Sequence, residues 1–522
     1  MKTASHAPRV LRDGYGQRVG RLGALGGLAL AVAMSLAACM MGPDYRRPEL
    51  QVPEGFKEGV DWQRADANPQ GAIDSTWWRM YGDDQLNGLV DQALKANQSI
   101  AAAEAAYRLA LATVDANRAG LFPTITAGLS GSRSGGNVSA LSAGRTTGTT
   151  ASATGGVGNS VVALGSVSWE LDLWGAIRRQ IEEAKANAQA SDAQLAGERI
   201  SIAASVVTDY FELRQADYDI RSFTEQQNAY ARILAIVQTA YKEGAASSDD
   251  VLVATEDLQT VIAELQATQI NREHDEHAIA VLEGLPPESF SIPPDPDYHF
   301  VSPAIPPSLP SQLLERRYDV VSAERSAAAA NAGIGVAEAA FFPTLTLSAE
   351  GGFAHSTLAH LFTVPNRFWT LGPDLAETIF DGGARTAAVH EARATYDENV
   401  ANYRNTVLGA FQSVEDSLSS MNHLRAQESA YAQVLDSSTR LFASQQAQFD
   451  AGAVSQQNVL NQRITLIQSQ QTLRDTQALL AQSHVLLIKN LGGGWQRDDA
   501  DAAQPASASA VRPVAQTSSS AD

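Results

Sequence analysis

The first residues that could do chemistry are two histidines in Glu273-His274-Asp275-Glu276-His277, inside a stretch of high helix propensity. Imidazoles flanked by carboxylates can hold a metal ion. A metalloprotease helix, however, sets its histidines at i and i+4 with a glutamate beside the first. Here they stand at i and i+3, and the run reads as a charged, solvated helix face. Gly492-Gly493-Gly494 lacks the Lys-Ser/Thr pair that a phosphate-binding loop requires, and reads as a helix C-cap. No Gly-x-Ser-x-Gly nucleophile turn occurs. These residues point to no enzyme, no cofactor and no metal.

The chain has one cysteine, so internal disulfides and cysteine-based metal sites are excluded. Cys39 closes Leu36-Ala37-Ala38-Cys39, behind an apolar run from Leu22 and a basic start carrying Lys2, Arg9, Arg12, Arg18 and Arg21. That is the build of an export signal, and its end is similar to a bacterial lipobox. In such signals the cysteine is acylated and the chain is cut before it. Each buried methylene of an acyl chain adds roughly 0.8 kcal/mol of membrane affinity. Residue 40 is Met rather than the Asp that usually retains such proteins at the inner membrane. The expectation is a protein lipidated at Cys39 and held to outer-membrane lipid.

The precursor carries 38 basic and 58 acidic side chains. Its first 38 residues hold five of the former and one of the latter, so the remainder has 33 against 57. A chain so acidic is a poor partner for nucleic acid. Beyond residue 39 no apolar stretch is long enough to span a bilayer as a helix. Any membrane passage must then use a closed β-barrel.

The sequence is written twice. Phe122-Pro123-Thr124-Ile125-Thr126 returns as Phe342-Pro343-Thr344-Leu345-Thr346. Trp174-Gly175-Ala176-Ile177-Arg178 has a looser echo in Asp381-Gly382-Gly383-Ala384-Arg385. Gly244-Ala245-Ala246-Ser247 returns as Gly452-Ala453-Val454-Ser455. The first copy has a longer insertion, since Ser132 to Ser160 is almost all Gly, Ser, Thr, Ala and Asn and reads as an exposed loop. Nine of the 20 prolines lie between Pro286 and Pro310, an extended connector. The expected divisions are a signal over 1–38, a lipidated extension over 39–85, a first repeat over 86–285, a connector over 286–310, a second repeat over 311–492 and a disordered tail over 493–522.

Proline-free stretches from Ala176 to Glu283 and from Ala384 to Leu491 predict long helices. Gly244 and Gly452 read as turns between antiparallel partners. The first arm, Ile177 to Tyr241, would run on the order of 100 Å at ~1.5 Å per residue. Asp250–Leu282 and Asn458–Leu491 form shorter second arms, and further helices are expected around Leu86–Ala119 and Leu313–Ala340. A periplasmic coiled-coil scaffold would share these helices. Before each long helix lie two alternating segments. Ile125, Ala127 and Leu129 oppose Thr124 and Thr126, while Val167, Trp169 and Leu171 oppose Glu170 and Asp172. Leu345 and Leu347 oppose Thr344, Thr346 and Glu350, while Trp369, Leu371 and Leu375 oppose Asp374. Apolar-out and polar-in is the pattern of a membrane barrel, although two hairpins on a soluble core would also alternate. On the barrel reading, Thr124, Thr126, Glu170, Asp172, Thr344, Thr346, Glu350 and Asp374 line the lumen. Four strands cannot close a barrel when the smallest have about eight, so the chain must assemble.

At this point the chain resembles the TolC-like outer membrane factor family, in its efflux lipoprotein branch. The resemblance runs through most of the mature chain. It rests on Cys39 with Gly42-Pro43-Asp44-Tyr45-Arg46-Arg47-Pro48, and on Trp77-Trp78, Asp83-Asp84-Gln85-Leu86 and Ala93-Leu94-Lys95-Ala96-Asn97. It continues with Leu309-Pro310, Leu313-Leu314, Arg316-Arg317, Asp319-Val320, Ala323-Glu324, Ile334-Gly335, Phe342-Pro343 and Phe380-Asp381-Gly382-Gly383. Tyr318 departs from the family, which usually has proline there. The resemblance implies a mainly α fold with a membrane β-barrel. It implies a homotrimer in which four strands per chain complete a twelve-stranded barrel over an α-helical tube. It also implies two partners, a periplasmic adaptor and an inner-membrane RND-type transporter, with the duct itself passive. The turns at Gly244, Ala245, Ser247, Gly452, Ala453 and Ser455 would meet the adaptor. The tube would narrow near Asp249, Asp250, Asn458 and Asn461, where relatives place acids but the second copy here has none. Asp249 and Asp250 would equally serve as helix caps. The favoured function is small-molecule efflux. A duct of type I protein secretion and a structural tether are the other readings.

Overall fold

The computed structural model describes residues 40–50, 52–53, 55–58, 74–136, 156–303 and 317–495. Cys39, the middle of the Gly/Ser-rich insertion, residues 304–316 and those beyond 495 lie outside the described residues. Among the described residues, and apart from short 3-10 turns, eleven helices and strands follow in chain order. Helix α1 (Asp84–Ala96) and α2 (Gln98–Ala119) precede strands β1 (Thr124–Gly136) and β2 (Gly156–Leu171). Then come α3 (Ala176–Lys242) and α4 (Ser248–Leu282). The second half repeats the plan with α5 (Tyr318–Ala339), β3 (Thr344–His355), β4 (Arg367–Ala376), α6 (Ala384–Asp450) and α7 (Gln456–Asn490). The long arms α3 and α6 have 67 residues each, and α4 and α7 have 35 each. No helix among the described residues is long and apolar enough to cross a membrane.

Two expectations need adjustment. The helix around Leu86–Ala119 breaks at Asn97, whose backbone is extended with ψ 132°. The Asn97 Oδ1 accepts from the Ser99 and Ile100 N–H groups and starts α2, while its Nδ2 donates to the Leu282 carbonyl. The Gly/Ser-rich insertion is also shorter as a loop than its composition suggests. Ser132↔Ser160 through Gly136↔Gly156 continue the β1–β2 ladder, because small residues do not oppose pairing.

The described residues fall in two compact units, each drawing on both repeats. The first takes residues within 40–46, 110–187 and 327–398. Its centre is one antiparallel sheet of order β1-β2-β3-β4. Trp174 stacks on Phe342 with ring centroids 4.7 Å apart, and its indole N–H donates to the Pro343 carbonyl at 2.8 Å. Residues 41–44 are bolted down by Arg179, whose side chain is only 2% exposed. It donates to the Met41 carbonyl at 2.9 Å and the Gly42 carbonyl at 3.1 Å, and pairs with Asp44 and Glu182. Gly42 crosses Gly335 so closely that a Cβ on Gly42 would stand 2.4 Å from the Gly335 Cα.

The second unit takes residues within 47–109, 188–326 and 399–495. Its main core joins Trp77, Trp78, Tyr81, Leu86 and Val90 to Val206, Tyr210 and Phe211 of α3 and to Val485 and Ile488 of α7. Burying side chains of this size contributes roughly 1.5–3 kcal/mol each. The start of the connector is strapped onto α3 and α4 by a buried charge network. Asp217, with a fully buried side chain, pairs with Arg214 and Arg272 and accepts from the Asp295 N–H. Arg214 donates to the Pro293 carbonyl and Arg272 to the Ile292 carbonyl. Every charge has a partner, as burial requires. The triple glycine behind α7 is a C-cap: all three residues have positive φ, and the Gly493 N–H donates to the Ile488 carbonyl.

Candidate functional site

The sheet's two faces are decided by register. Side chains alternate along a strand, so partners across a ladder share a face. The pairs Thr124↔Ser168, Ser168↔Ser348, Glu170↔Thr346 and Thr346↔Asp374 all join even-numbered residues. Ile125↔Val167, Trp169↔Leu347 and Leu345↔Leu375 all join odd-numbered ones. One face therefore carries Thr124, Thr126, Glu170, Thr344, Thr346, Glu350 and Asp374. The other carries Ile125, Leu129, Trp169, Leu347, Trp369, Leu371 and Leu375. This apolar face is exposed in the single chain, at 75% for Ile125, 73% for Trp369 and 68% for Leu375. Exposed apolar area of this kind marks a surface meant for lipid or protein.

Asp172 does not belong with the lumen set. The strand ends at Leu171, and the Asp172 side chain is only 7% exposed. Its carboxylate accepts from the Ile177 and Arg178 N–H groups and from Arg178 Nε, at 3.0–3.1 Å. It caps α3, where orphan N–H groups and the positive end of the helix dipole favour an anion. The second repeat does the same with Asp381, which accepts from the Gly383 and Arg385 N–H groups and from Arg385 Nε. The Arg385 guanidinium and those N–H groups hold the Asp381 carboxyl down at about 2. Sequence reading found the echo between these turns but missed the carboxylate–arginine pair that it encodes.

At the other end of the long arms, both turns have one geometry. Gly244 and Gly452 each adopt φ 76°, open to glycine and strained for other residues. The Ala245 N–H donates to the Ala240 carbonyl at 2.7 Å, and the Ala453 N–H to the Gln448 carbonyl at 2.8 Å. A Cβ on either glycine would meet nothing within 4 Å. Gly244, Ala245, Ser247, Gly452, Ala453 and Ser455 are all exposed.

The return helices then start differently. Ser247 and Asp250 form a capping box: Ser247 Oγ accepts from the Asp250 N–H, and the Asp250 carboxylate accepts from the Ser247 N–H and hydroxyl. Those bonds lower the Asp250 pKa. Among the described residues, Asp249 receives only the Ser248 hydroxyl, at 3.3 Å. In the second repeat Ser455 Oγ accepts from the Asn458 N–H at 3.3 Å. Asn458 and Asn461 are exposed. Of the gate candidates, Asp250 is thus committed to a cap and Asp249 is the less encumbered carboxylate.

His274 and His277 are exposed on α4. Among the described residues no three His, Cys, Asp or Glu side chains converge where a metal ion could sit. The chemistry on offer is that of surfaces: a polar sheet face, an apolar sheet face and two small-residue turns.

Known proteins share this plan. The sequence model of the family described as outer membrane efflux protein matches residues 89–284 and 309–493. Outer membrane protein OprJ of Pseudomonas aeruginosa is 30% identical over 486 residues, covering 90% of this chain and 96% of that protein. The toluene efflux pump outer membrane protein TtgC of Pseudomonas putida is 29% identical over 483 residues, covering 92% of this chain and 98% of its own. Among solved structures, the outer-membrane channel OprN is similar at 26% identity and a TM-score of 0.75, over 88% of this chain and 100% of that one. The chain belongs to the outer membrane efflux protein family, and is an outer-membrane efflux channel rather than an enzyme.

Proposed function

We propose that three copies of this chain form the passive exit duct of a tripartite efflux system. Four strands from each copy complete a twelve-stranded barrel, and the helices form the duct's periplasmic wall. The observation that carries this reading is the sheet itself. It has four strands, an exposed apolar face and two open edges, β1 and β4. Open edges are not tolerated in hydrocarbon, so β1 of one copy must pair with β4 of the next.

The turns at Gly244 and Gly452 are the docking points for a periplasmic adaptor, which links the duct to an inner-membrane RND-type transporter. Small exposed residues there allow another helix tip to approach closely. Cys39 carries the lipid anchor, two residues before the clamped segment that begins at Met41. The cargo is small molecules, in keeping with a relative that serves a toluene efflux pump.

Cysteine pairing tests the assembly, since replacing Cys39 by serine leaves no other thiol. Single cysteines placed along β1 and along β4 should yield disulfide-linked trimers on oxidation, and the trimers should conduct ions in a planar bilayer. Dimers alone, or trimers without conductance, would reject the duct. Mass spectrometry of the wild-type N-terminus tests the anchor separately.

A further inference from the structure

The four strands sort their charges by face. Their carboxylates, Glu170, Glu350 and Asp374, all fall on the polar face. Their arginines, Arg133 and Arg367, both fall on the apolar face, through the pairs Arg133↔Asn159 and Phe353↔Arg367. On β1 that face reads Ile125, Ala127, Leu129, Gly131, Arg133. On β4, from the helix end, it reads Leu375, Pro373, Leu371, Trp369, Arg367. Each arginine thus stands about 26 Å along its strand from the innermost apolar residue, at ~3.3 Å per residue. The hydrocarbon-facing band of a membrane barrel is ~25 Å tall. Barrel strands tilt by ~35–45°, so that length rises about 20 Å through the band, and both arginines stand in its outer part, within a long side chain's reach of the headgroups, at the hairpin end of the sheet.

Their surroundings fit that depth. Both are exposed, and neither side chain has an ion pair or hydrogen bond among the described residues. Trp369, two residues inside Arg367 on the same face, is the aromatic that interfaces favour. A cation at this depth extends to the headgroup level rather than staying in hydrocarbon. A guanidinium presents a planar fork that matches two phosphate oxygens. The strand carboxylates, which would repel phosphate, all lie on the opposite face.

We infer that Arg133 and Arg367 form a binding site for the phosphate-bearing headgroups of outer-leaflet lipid. The inference rests on the barrel proposed above. β1 and β4 are the sheet's edges, so that pairing brings Arg133 of one copy and Arg367 of the next to the same seam, where one phosphate can bridge them.

Tryptophan quenching by brominated lipids tests this on the full-length trimer in bilayers. Brominated phosphatidic acid competes there against phosphatidylcholine. Each arginine near the membrane surface should add roughly five-fold to the preference for the phosphate monoester. The double variant Arg133→Gln with Arg367→Gln should lose that preference while keeping the trimer and its conductance, because neither side chain faces the lumen. A wild type without preference, or a preference unchanged in the double variant, overturns the site. Abolition of the preference by inorganic phosphate in solution would mark a general anion site and overturn the lipid assignment. If brominated phosphatidylcholine itself fails to quench, the barrel reading has failed instead.

Discussion

The ring of Tyr318 occupies the space that a side chain on Gly197 would need: a Cβ there would stand 2.2 Å from the Tyr318 Cδ2. Gly197 lies in the middle of α3, where glycine weakens a helix by roughly 1 kcal/mol relative to alanine. Tyr318 begins α5, at the position where the chain departs from the proline usual in the resemblance. The tyrosine needs the glycine.

Gly197→Ala should therefore destabilise the protein by about 1–3 kcal/mol, the range for overpacking, instead of giving the usual gain. Adding Tyr318→Ala should turn the same substitution neutral or favourable. Denaturant midpoints of the four proteins in the cycle would show this coupling, and additive effects would contradict it.

The N-terminal clamp gives a second outcome. A Cβ on Gly335 would stand 2.6 Å from the Met41 carbonyl oxygen and 2.8 Å from the Arg179 Cγ. Gly335→Ala should lift residues 41–44 off their seat, and Arg179→Gln should do so by removing both carbonyl contacts. Trypsin should then cut after Arg46 several times faster than in the wild type. Equal cutting rates would mean that the segment is held elsewhere, for instance by the Arg47 bond to the Tyr403 hydroxyl.

What the sequence disclosed follows from how each feature is encoded. The strand faces were legible because a sheet bounded on one side by apolar surroundings must alternate, and register later joined odd to odd and even to even. The strand's end was not legible. Asp172 continues the even parity past Leu171, and only its bonds to the Ile177 and Arg178 N–H groups reveal a cap. A signal did exist, since Asp172 with Arg178 is echoed by Asp381 with Arg385. The break at Asn97 was open to reading as an N-cap residue within a helical run. The Arg179 clamp had no local signal, because its partners Met41 and Asp44 lie 138 and 135 positions away.

A third outcome concerns pH. Asp219 of α3 and Asp475 of α7 both approach the Gln215 amide nitrogen. Asp219 Oδ1 and Gln215 Oε1 are buried acceptors with no hydrogen-bond partner among the described residues. Burial, then the Asp475 charge, pushes the Asp219 carboxyl up to about 7. Burial raises Asp475 to about 6. The folded protein thus binds protons that the unfolded chain, with carboxyls near 3.8, has released. Stability from this cluster is present at low pH and lost as pH rises from about 4 through 7. Asp219→Asn removes the charge and supplies a donor, so it should stabilise the protein by roughly 1–3 kcal/mol at pH 7.5. The gain should shrink towards pH 5. A gain independent of pH would show that charge is not its source.

The last outcome separates capping from gating at the start of α4. Asp249 and Asp250 are adjacent acids on an exposed helix start, but their bonds differ. Asp250 is closed into a box with Ser247, while Asp249 meets only the Ser248 hydroxyl. Ser247→Ala should cost about 1 kcal/mol through the lost cap. Asp250→Asn should lower the melting temperature in the same direction, because an amide is a weaker acceptor for the Ser247 N–H. Neither change should alter ion selectivity if Asp250 acts only as a cap. Asp249→Asn should leave the melting temperature nearly unchanged. If three copies bring Asp249 to one axis, the ring they form is acidic, and its loss should reduce cation preference in single-channel recordings. Reversal potentials measured across a salt gradient report that preference directly. A selectivity change in Asp250→Asn with none in Asp249→Asn would reverse the two roles. No change in either would leave the uncharged Asn458 and Asn461 of the second repeat as the residues at the narrowest point.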